Sequence, residues 1–229
     1  MSSVAISQPT YLPWLGYFKM IESVDAFVFL DNVQFEKRSW QCRNRIKDNQ
    51  DQSHWLTVPI AAHDFKEKIF DIKIASDDKK WQRKHLNSIK MHLGKTPHFE
   101  DVIEVIERSF NKNFNNLSDF NIDLIQQVSA NFGLTTKFYR ASELNVYGKR
   151  TDLLLNIINK LNAKTYLSNL GSKDYLQFEE QHFQDLGIEL IYQKWQPPAY
   201  QQRGEAFVDK LAWVDPVSYL GFSPAVLLK

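Results

Sequence analysis

The sequence predicts a single-domain α/β protein built on a Rossmann-like parallel or mixed sheet, with a helical insertion or subdomain at about 76–132. Three observations lead there. The apolar run Val4-Ala5-Ile6 passes through Gln8 and Pro9 into a helical pattern from Trp14, then into a second run, Ala26-Phe27-Val28-Phe29-Leu30, ending at Asp31. Strand, turn, helix and strand in that order form a βαβ crossover, the unit of parallel sheets. The same alternation returns after residue 151, with a helix at 152–161, a strand at 165–168, a helix at 173–186 and a strand at 188–192. Between the two halves the pattern is helical. A chain of 229 residues buries a core of ordinary domain size.

The intervening elements each have a local reason. Residues 31–40 read as a polar loop with aromatic punctuation, and 41–47 alternate: if extended, Arg43, Arg45 and Lys47 share one face and Cys42, Asn44 and Ile46 the other. Asp48 to Asp51 is a turn. Residues 55–60 and 69–74 read as strands, the first ending or lying at an edge because of Pro59. Ser76-Asp77-Asp78 offers an N-cap for a helix running to Leu93 before Gly94, with Leu86, Ile89 and Leu93 as its apolar stripe and Trp81, His85, Ser88 and His92 alongside. Helices follow at 100–110 and 117–132, the second stopped by Gly133, and then a strand at 137–139. Pro197 and Pro198 stiffen a loop, and the tail 207–221 is expected to be partly helical with Pro216 breaking it.

Composition narrows the functional classes. Hydrophobic residues make up 43% and charged residues 24%, as in a soluble globular protein. A net charge of +1 speaks against general nucleic-acid binding. The single Cys42 excludes an intramolecular disulfide and a cysteine-only zinc site, and the histidines lack ligand-like spacing, so no metal is expected. The amino terminus carries no charged leader and no apolar run reaches membrane-spanning length, so the expected location is cytoplasmic, without membrane insertion. Most of the six tryptophans and sixteen phenylalanines serve as core; Trp14, Tyr17, Trp40 and Trp55, close to polar clusters, are the candidates for ligand stacking.

Ligands of open α/β sheets bind beyond the carboxyl ends of the strands, here Gln8-Pro9 and Asp31. Lys37, Arg38, Arg43, Arg45 and Lys47 place five cations within eleven residues, beside Gln34, Trp40 and Asn44; arginines suit bidentate phosphate or carboxylate recognition, whereas the plain alternative is a solvated loop and edge strand. Asp31 ends an apolar strand, as a functional carboxylate or as a turn residue. His85 is a candidate acid or base, or else a half-buried structural histidine. The stretch from Ser168 to Lys173 follows a strand and opens a helix, which favours an anion or simply caps a turn. No Walker loop, dinucleotide fingerprint, nucleophile elbow or zincin motif occurs.

The run from Gln8 through Pro9, Tyr11, Trp14, Gly16 and Tyr17 to Phe18 resembles the opening of WbqC-like proteins. So do Asp31-x-Val33-Gln34-Phe35-x-Lys37-x-x-Trp40 and Arg43-Asn44-Arg45-Ile46-Lys47. The likeness extends through Trp55 to Pro59, the helix with Trp81, Lys84 and His85, Thr165 to Ser168 with Lys173 to Leu176, and Tyr200 with Gln202. Cys42, Asn169-Leu170 and the tail 211–215 depart from the pattern. The resemblance implies a link to surface-polysaccharide and amino-sugar pathways, and glycyl or other acyl transfer to sugar amines. More distantly, Pro9 and Trp14 to Tyr17 are placed like the H-x-G-H turn of nucleotidyltransferase-type folds, with both histidines replaced.

The expectation is therefore an aminoacyl (glycyl) or acyl transferase acting on the amine of a nucleotide-activated amino sugar in O-antigen biosynthesis. Arg43, Arg45 and Lys47 would hold phosphates, Trp14, Tyr17 and Trp40 would stack, and Gln8, Gln34 and Asn44 would orient polar groups. Asp31 or His85, with Lys37 beside them, would handle the proton. ATP, an acyl-CoA or an aminoacyl-tRNA is the candidate activated donor. The rivals are a nucleotidyltransferase-like adenylylating enzyme and a non-catalytic sugar-nucleotide-binding module.

Overall fold

Residues 2–48, 50–75 and 80–228 are described by the computed structural model. The chain opens with β1 (Ser3–Ser7), α1 (Leu15–Glu22) and β2 (Ala26–Phe29), the expected crossover. A hairpin of β3 (Arg43–Lys47) and β4 (Ser53–Thr57) follows, then α2 (Lys80–Leu93), α3 (Phe99–Asn111) and α4 (Leu117–Asn131). The second half comprises β5 (Lys137–Arg140), α5 (Thr151–Lys160), β6 (Thr165–Ser168), α6 (Lys173–Leu176), α7 (Glu180–Asp185) and β7 (Glu189–Tyr192), and the chain closes with α8 (Val214–Leu220) and α9 (Ala225–Leu228). The expected cap of α2 at Ser76–Asp78 lies outside the described residues.

β1, β2, β5, β6 and β7 form one sheet in the order β5-β2-β1-β6-β7, every pairing parallel. The fold is Rossmann-like α/β. From the central β1 the chain builds outward through β2 to β5 and then returns to lay β6 on the other side of β1. That reversal puts the topological switch point, where ligands of such sheets bind, at the carboxyl ends of β1 and β6.

Strand alternation assigns the two faces. Val4, Ile6, Ala26 and Val28 pack with Leu154, Ile157, Ile158 and Phe183 of α5 and α7. Ala5, Phe27 and Phe29 point the other way, into a core shared with α1, α2, α3, α4, the hairpin and α8. α2, α3 and α4 therefore share a core with this face of the sheet.

Three local expectations are corrected. Residues 69–74, read as a strand, form a single 3-10 turn at Ile69–Asp71, with Lys73 and Ile74 making only isolated bridges. The helix expected over 173–186 is two short ones, because the chain turns between Leu176 and Glu180 to bury Leu176 and Phe183 in one core. Pro216 does not break the tail helix. It lies in the first turn of α8, where its missing N–H has no intrahelical partner to lose.

Candidate functional site at the carboxyl edge

The loop from Gln8 to Trp14 runs through the carboxyl edge with its backbone largely buried, so its polar groups must find partners. Side-chain amides supply many of them. Asn44 Nδ2 donates to the carbonyls of Tyr11 (3.3 Å) and Leu12 (2.7 Å), and Asn121 Nδ2 to those of Pro9 (3.1 Å) and Gln41 (2.8 Å). The Tyr17 hydroxyl donates to Gln8 O, the Tyr11 N–H to Trp40 O, and the Trp213 N–H to Pro13 O. Much of the opening motif is thus a braced loop. Tyr17, expected to stack a ligand, is buried among Phe18 and Phe27 with its hydroxyl committed.

Gly16 has its own reason. A Cβ there would fall 2.2 Å from the Trp14 ring, which packs against the start of α1. Trp14 is partly buried and its ring is 6.3 Å from that of Trp195, which follows β7. Gln193 ties the same segment down, its N–H donating to Ser168 O (2.8 Å) and its Nε2 to Gly16 O (2.9 Å). At the switch point Gln41 Nε2 donates to Gln8 Oε1 at 2.8 Å. Amides and indoles therefore converge beyond β1 and β6.

Asp31 is fully buried and accepts from the Arg140 Nε (2.9 Å), the Ser142 N–H (2.9 Å) and the Ser142 hydroxyl (2.8 Å). Arg140 also reaches Asp119 at 2.7 Å. This network joins the ends of β2 and β5 to α4. His85 lies on the buried face of α2, with Nδ1 2.8 Å from the Tyr11 hydroxyl. Burial, with a smaller contribution from nearby His54, pushes its pKa down to about 4, against a hydrogen bond to the Thr57 backbone. The imidazole is neutral at pH 7 and shares a hydrogen bond with the Tyr11 hydroxyl through Nδ1. Burial raises the Tyr11 hydroxyl far above its ordinary value, so Tyr11 stays a donor.

The hairpin divides its residues by face. Inward, Asn44, Ile46 and Leu56 are buried. Outward, Arg43 places its guanidinium 4.4 Å from the Trp55 ring centre, Arg45 pairs directly across from Trp55, and Trp40 lies 5.6 Å from Trp55. Trp40 is 50% exposed and Trp55 42%. Among the described residues neither Arg43 nor Arg45 forms an ion pair with a carboxylate, and the Nε of each is buried without a partner. Lys37 and Arg38 are exposed on the preceding turn, Arg38 in a left-handed conformation with φ 58°. Gln34 donates to Phe65 O at 2.9 Å and so fastens the next loop.

Lys47 stands apart from Arg43 and Arg45. Its ammonium is buried, bonded to Ala206 O and to Asp51 at 2.8 Å, while its N–H donates to Asp215 at 2.8 Å. The Tyr200 hydroxyl donates to the other Asp215 oxygen and accepts from Gln202, whose amide closes a loop by bonding both Val208 N and O. Burial raises the pKa of Asp215, offset by the Lys47 N–H and Tyr200 hydroxyl bonds. Tyr200, Gln202 and Lys47 thereby form a clasp between the hairpin and the tail. Ser168 is fully buried, sharing a 2.6 Å hydrogen bond with Ser172, and the Ser172 N–H is taken by Asn169 Oδ1. Lys173 is exposed, 5.9 Å from the Tyr192 ring.

Gln41, Asn121, Arg140, Gln193, Trp195 and Asp215 were not singled out from the sequence. Asn121 gave a signal, an amide among Phe120, Ile122, Leu124 and Ile125 on a helix; Gln193 and Trp195, in a stretch without periodicity, gave none. A cavity of about 970 Å³ opens at the opposite edge of the sheet, where Asp25 is committed to Ser2 and Ser3 and Glu22 to Lys19. Among the described residues no cluster of three or more His, Cys, Asp or Glu is placed to hold a metal, and no helix is long and apolar enough to cross a membrane.

The braced opening loop, the hairpin, the switch point and the Asp215 clasp all fall within residues 8–224, which match the model of the WbqC-like protein family. The chain belongs to the WbqC-like family. Among its relatives is a Mycobacterium tuberculosis (strain ATCC 25618 / H37Rv) protein, "Uncharacterized protein Rv1507c", 29% identical over 194 residues, covering 84% of this chain and 82% of the relative. No solved structure matches this WbqC-like chain.

Proposed function

We propose that this WbqC-like protein binds a nucleotide-activated amino sugar at the carboxyl edge of its sheet and transfers an acyl or aminoacyl group to the sugar amine, as a step in surface-polysaccharide synthesis. One observation carries the binding half: Arg43 and Arg45, side by side with no carboxylate partner among the described residues, on the hairpin whose base hands Gln41 to Gln8 at the switch point. Two guanidinium groups without counter-charge on one strand face suit the bidentate geometry of phosphate oxygens. The amide of Gln8, partly exposed and held by the buried Gln41, suits the hydroxyls of a sugar, and Lys37 and Arg38 add positive field at the entrance. The transfer half rests on the resemblance to family members linked with amino-sugar pathways. An activated donor is required: an acyl-CoA, an aminoacyl-tRNA, or a carboxylate that ATP converts to an acyl-adenylate with release of pyrophosphate; the amine attacks the activated carbonyl, CoA, tRNA or AMP leaves, and the ammonium proton is released.

A second reading, a non-catalytic sugar-nucleotide-binding module, is favoured by the state of the two candidate bases. Asp31 already accepts from three donors, and His85 is buried with a pKa near 4. An adenylylating enzyme is the third. Calorimetry with UDP- and dTDP-amino sugars, followed by mass spectrometry of the sugar after incubation with each donor, separates them. An acylated sugar supports the transferase, binding without product supports the module, and pyrophosphate release from ATP without amine supports adenylylation. Absence of any nucleotide-sugar binding refutes the proposal.

A further inference from the structure

The outer face of the hairpin carries more order than a solubility patch needs. Arg43 covers one face of Trp55 at 4.4 Å, and Trp40 stands 5.6 Å from Trp55 with the two ring planes only 31° apart. Guanidinium, indole and indole thus lie together in one patch. A cross-strand Trp–Arg contact is enough to explain Trp55 and Arg43, since such pairs support two-stranded hairpins. It does not explain Trp40, which lies before the strand. The backbone there is fixed from the other side, its carbonyl accepting the Tyr11 N–H at 2.9 Å, yet its indole stays half in water. A large aromatic ring half exposed beside two arginines with no carboxylate partner among the described residues is suited to a planar partner carrying negative charge.

Resting on the reading that the ligand is a nucleotide sugar, we propose the direction in which it lies: the nucleobase stacks on Trp40, the diphosphate meets Arg43 and Arg45, and the sugar extends toward the partly exposed Gln8 at the switch point. The Trp40 carbonyl accepts the Tyr11 N–H, so the backbone at Trp40 adjoins the opening loop that carries Gln8, and this gives the direction in which the sugar lies; Gln41 itself is buried, bonded to Gln8 and Glu36, and braces that loop. The switch-point loop after β6 is not organised for phosphate, since the Ser168 hydroxyl and the Ser172 N–H are both committed within it. A stacked guanidinium keeps its in-plane N–H edge free, which a lysine cannot reproduce. A nucleotide within a single-stranded RNA offers the same base and phosphate, so the two sources must be separated by test.

The test is quenching of tryptophan fluorescence, with calorimetry, on the full chain with UDP, UDP-glucosamine, glucosamine 1-phosphate, pyrophosphate and a single-stranded ribo-oligonucleotide ending in CCA. Wild type is expected to bind UDP and UDP-glucosamine with quenching. Trp40→Ala weakens both at least tenfold while leaving pyrophosphate within twofold; Arg43→Gln weakens all three, and Arg43→Lys does not restore them. If UDP-glucosamine binds wild type and both variants alike, the orientation is overturned while the nucleotide-sugar reading stands. Tighter binding of the oligonucleotide than of UDP-glucosamine also overturns the orientation. If no nucleotide binds wild type, or glucosamine 1-phosphate binds as tightly as UDP-glucosamine, both fail. Circular dichroism of each variant confirms that the fold is retained.

Discussion

Acidification should weaken this fold through His85, by an amount that its surroundings determine. The imidazole is enclosed by Tyr11, Trp81 and the Thr57 backbone, and burial lowers its pKa from 6.5 to about 4. An unfolded chain takes up a proton at this residue near pH 6.5, whereas the folded one resists until about pH 4, so the unfolded state binds more protons throughout that interval. Stability is therefore full above pH 6.5 and falls as the pH drops toward 4. With these two values the loss between pH 7.5 and pH 5 is about 2 kcal/mol, which in urea moves the midpoint by about 1 M. His92, also depressed by burial, has the same sign, and Asp215, raised by burial, has the opposite one. The measurement is therefore the difference between wild type and His85→Gln in urea titrations from pH 7.5 to 4.5. The wild-type curve should be the steeper by that amount; parallel curves would refute the assignment of His85 as a buried neutral imidazole.

Three substitutions test other parts of the site. Asp31→Ala removes the buried partner of Arg140 and should cost about 3 kcal/mol in chemical denaturation, the lower end for a broken ion pair because Asp119 still holds the arginine. A cost under 1 kcal/mol would return Asp31 to the list of residues free for chemistry. Asn121→Ala leaves the Pro9 and Gln41 carbonyls without their donor and should cost about 3 kcal/mol, with amide exchange rising in the 8–14 loop ahead of the sheet. Gly16→Ala forces the Trp14 ring off its seat, so a cost of about 1–3 kcal/mol should come with a changed tryptophan emission, and unchanged emission would show the ring elsewhere.

The sheet was legible because each strand is a short apolar run between turn residues. Thr165–Ser168 was read residue for residue, and β1, β2, β5 and β7 to within a residue or two. The order of the strands was not, since nothing local says that β6 returns to lie beside β1. Ile69 to Ile74 misled because β-branched alternation there fills a core crevice through a 3-10 turn and isolated bridges, without a neighbouring strand to form a ladder. In the site, the basic alternation of β3 predicted the shared face of Arg43 and Arg45. It could not foresee that Lys47 turns to Asp51 and Ala206, residues brought there by the turn and by the tail. Asp215 escaped for the same reason: its partners, Lys47 and Tyr200, are set by a tail that crosses the hairpin, and periodicity carries no information about such crossings.

The placement of β1 at the middle of the sheet sets a timetable for synthesis. β2 pairs with it at once, but its other neighbour is β6, and Ser3 must wait for Thr165. At ribosomal speeds that gap is on the order of ten to thirty seconds, during which one side of the most apolar strands of the protein has no partner. β1 and β2 emerge with the hairpin and three helices behind them, able to cover one face through Phe27 and Phe29 while the edge beside β1 stays open. The nascent chain thus presents the β1 edge unpaired until β6 is made, and a truncation before β6 leaves that edge open to pairing with other chains.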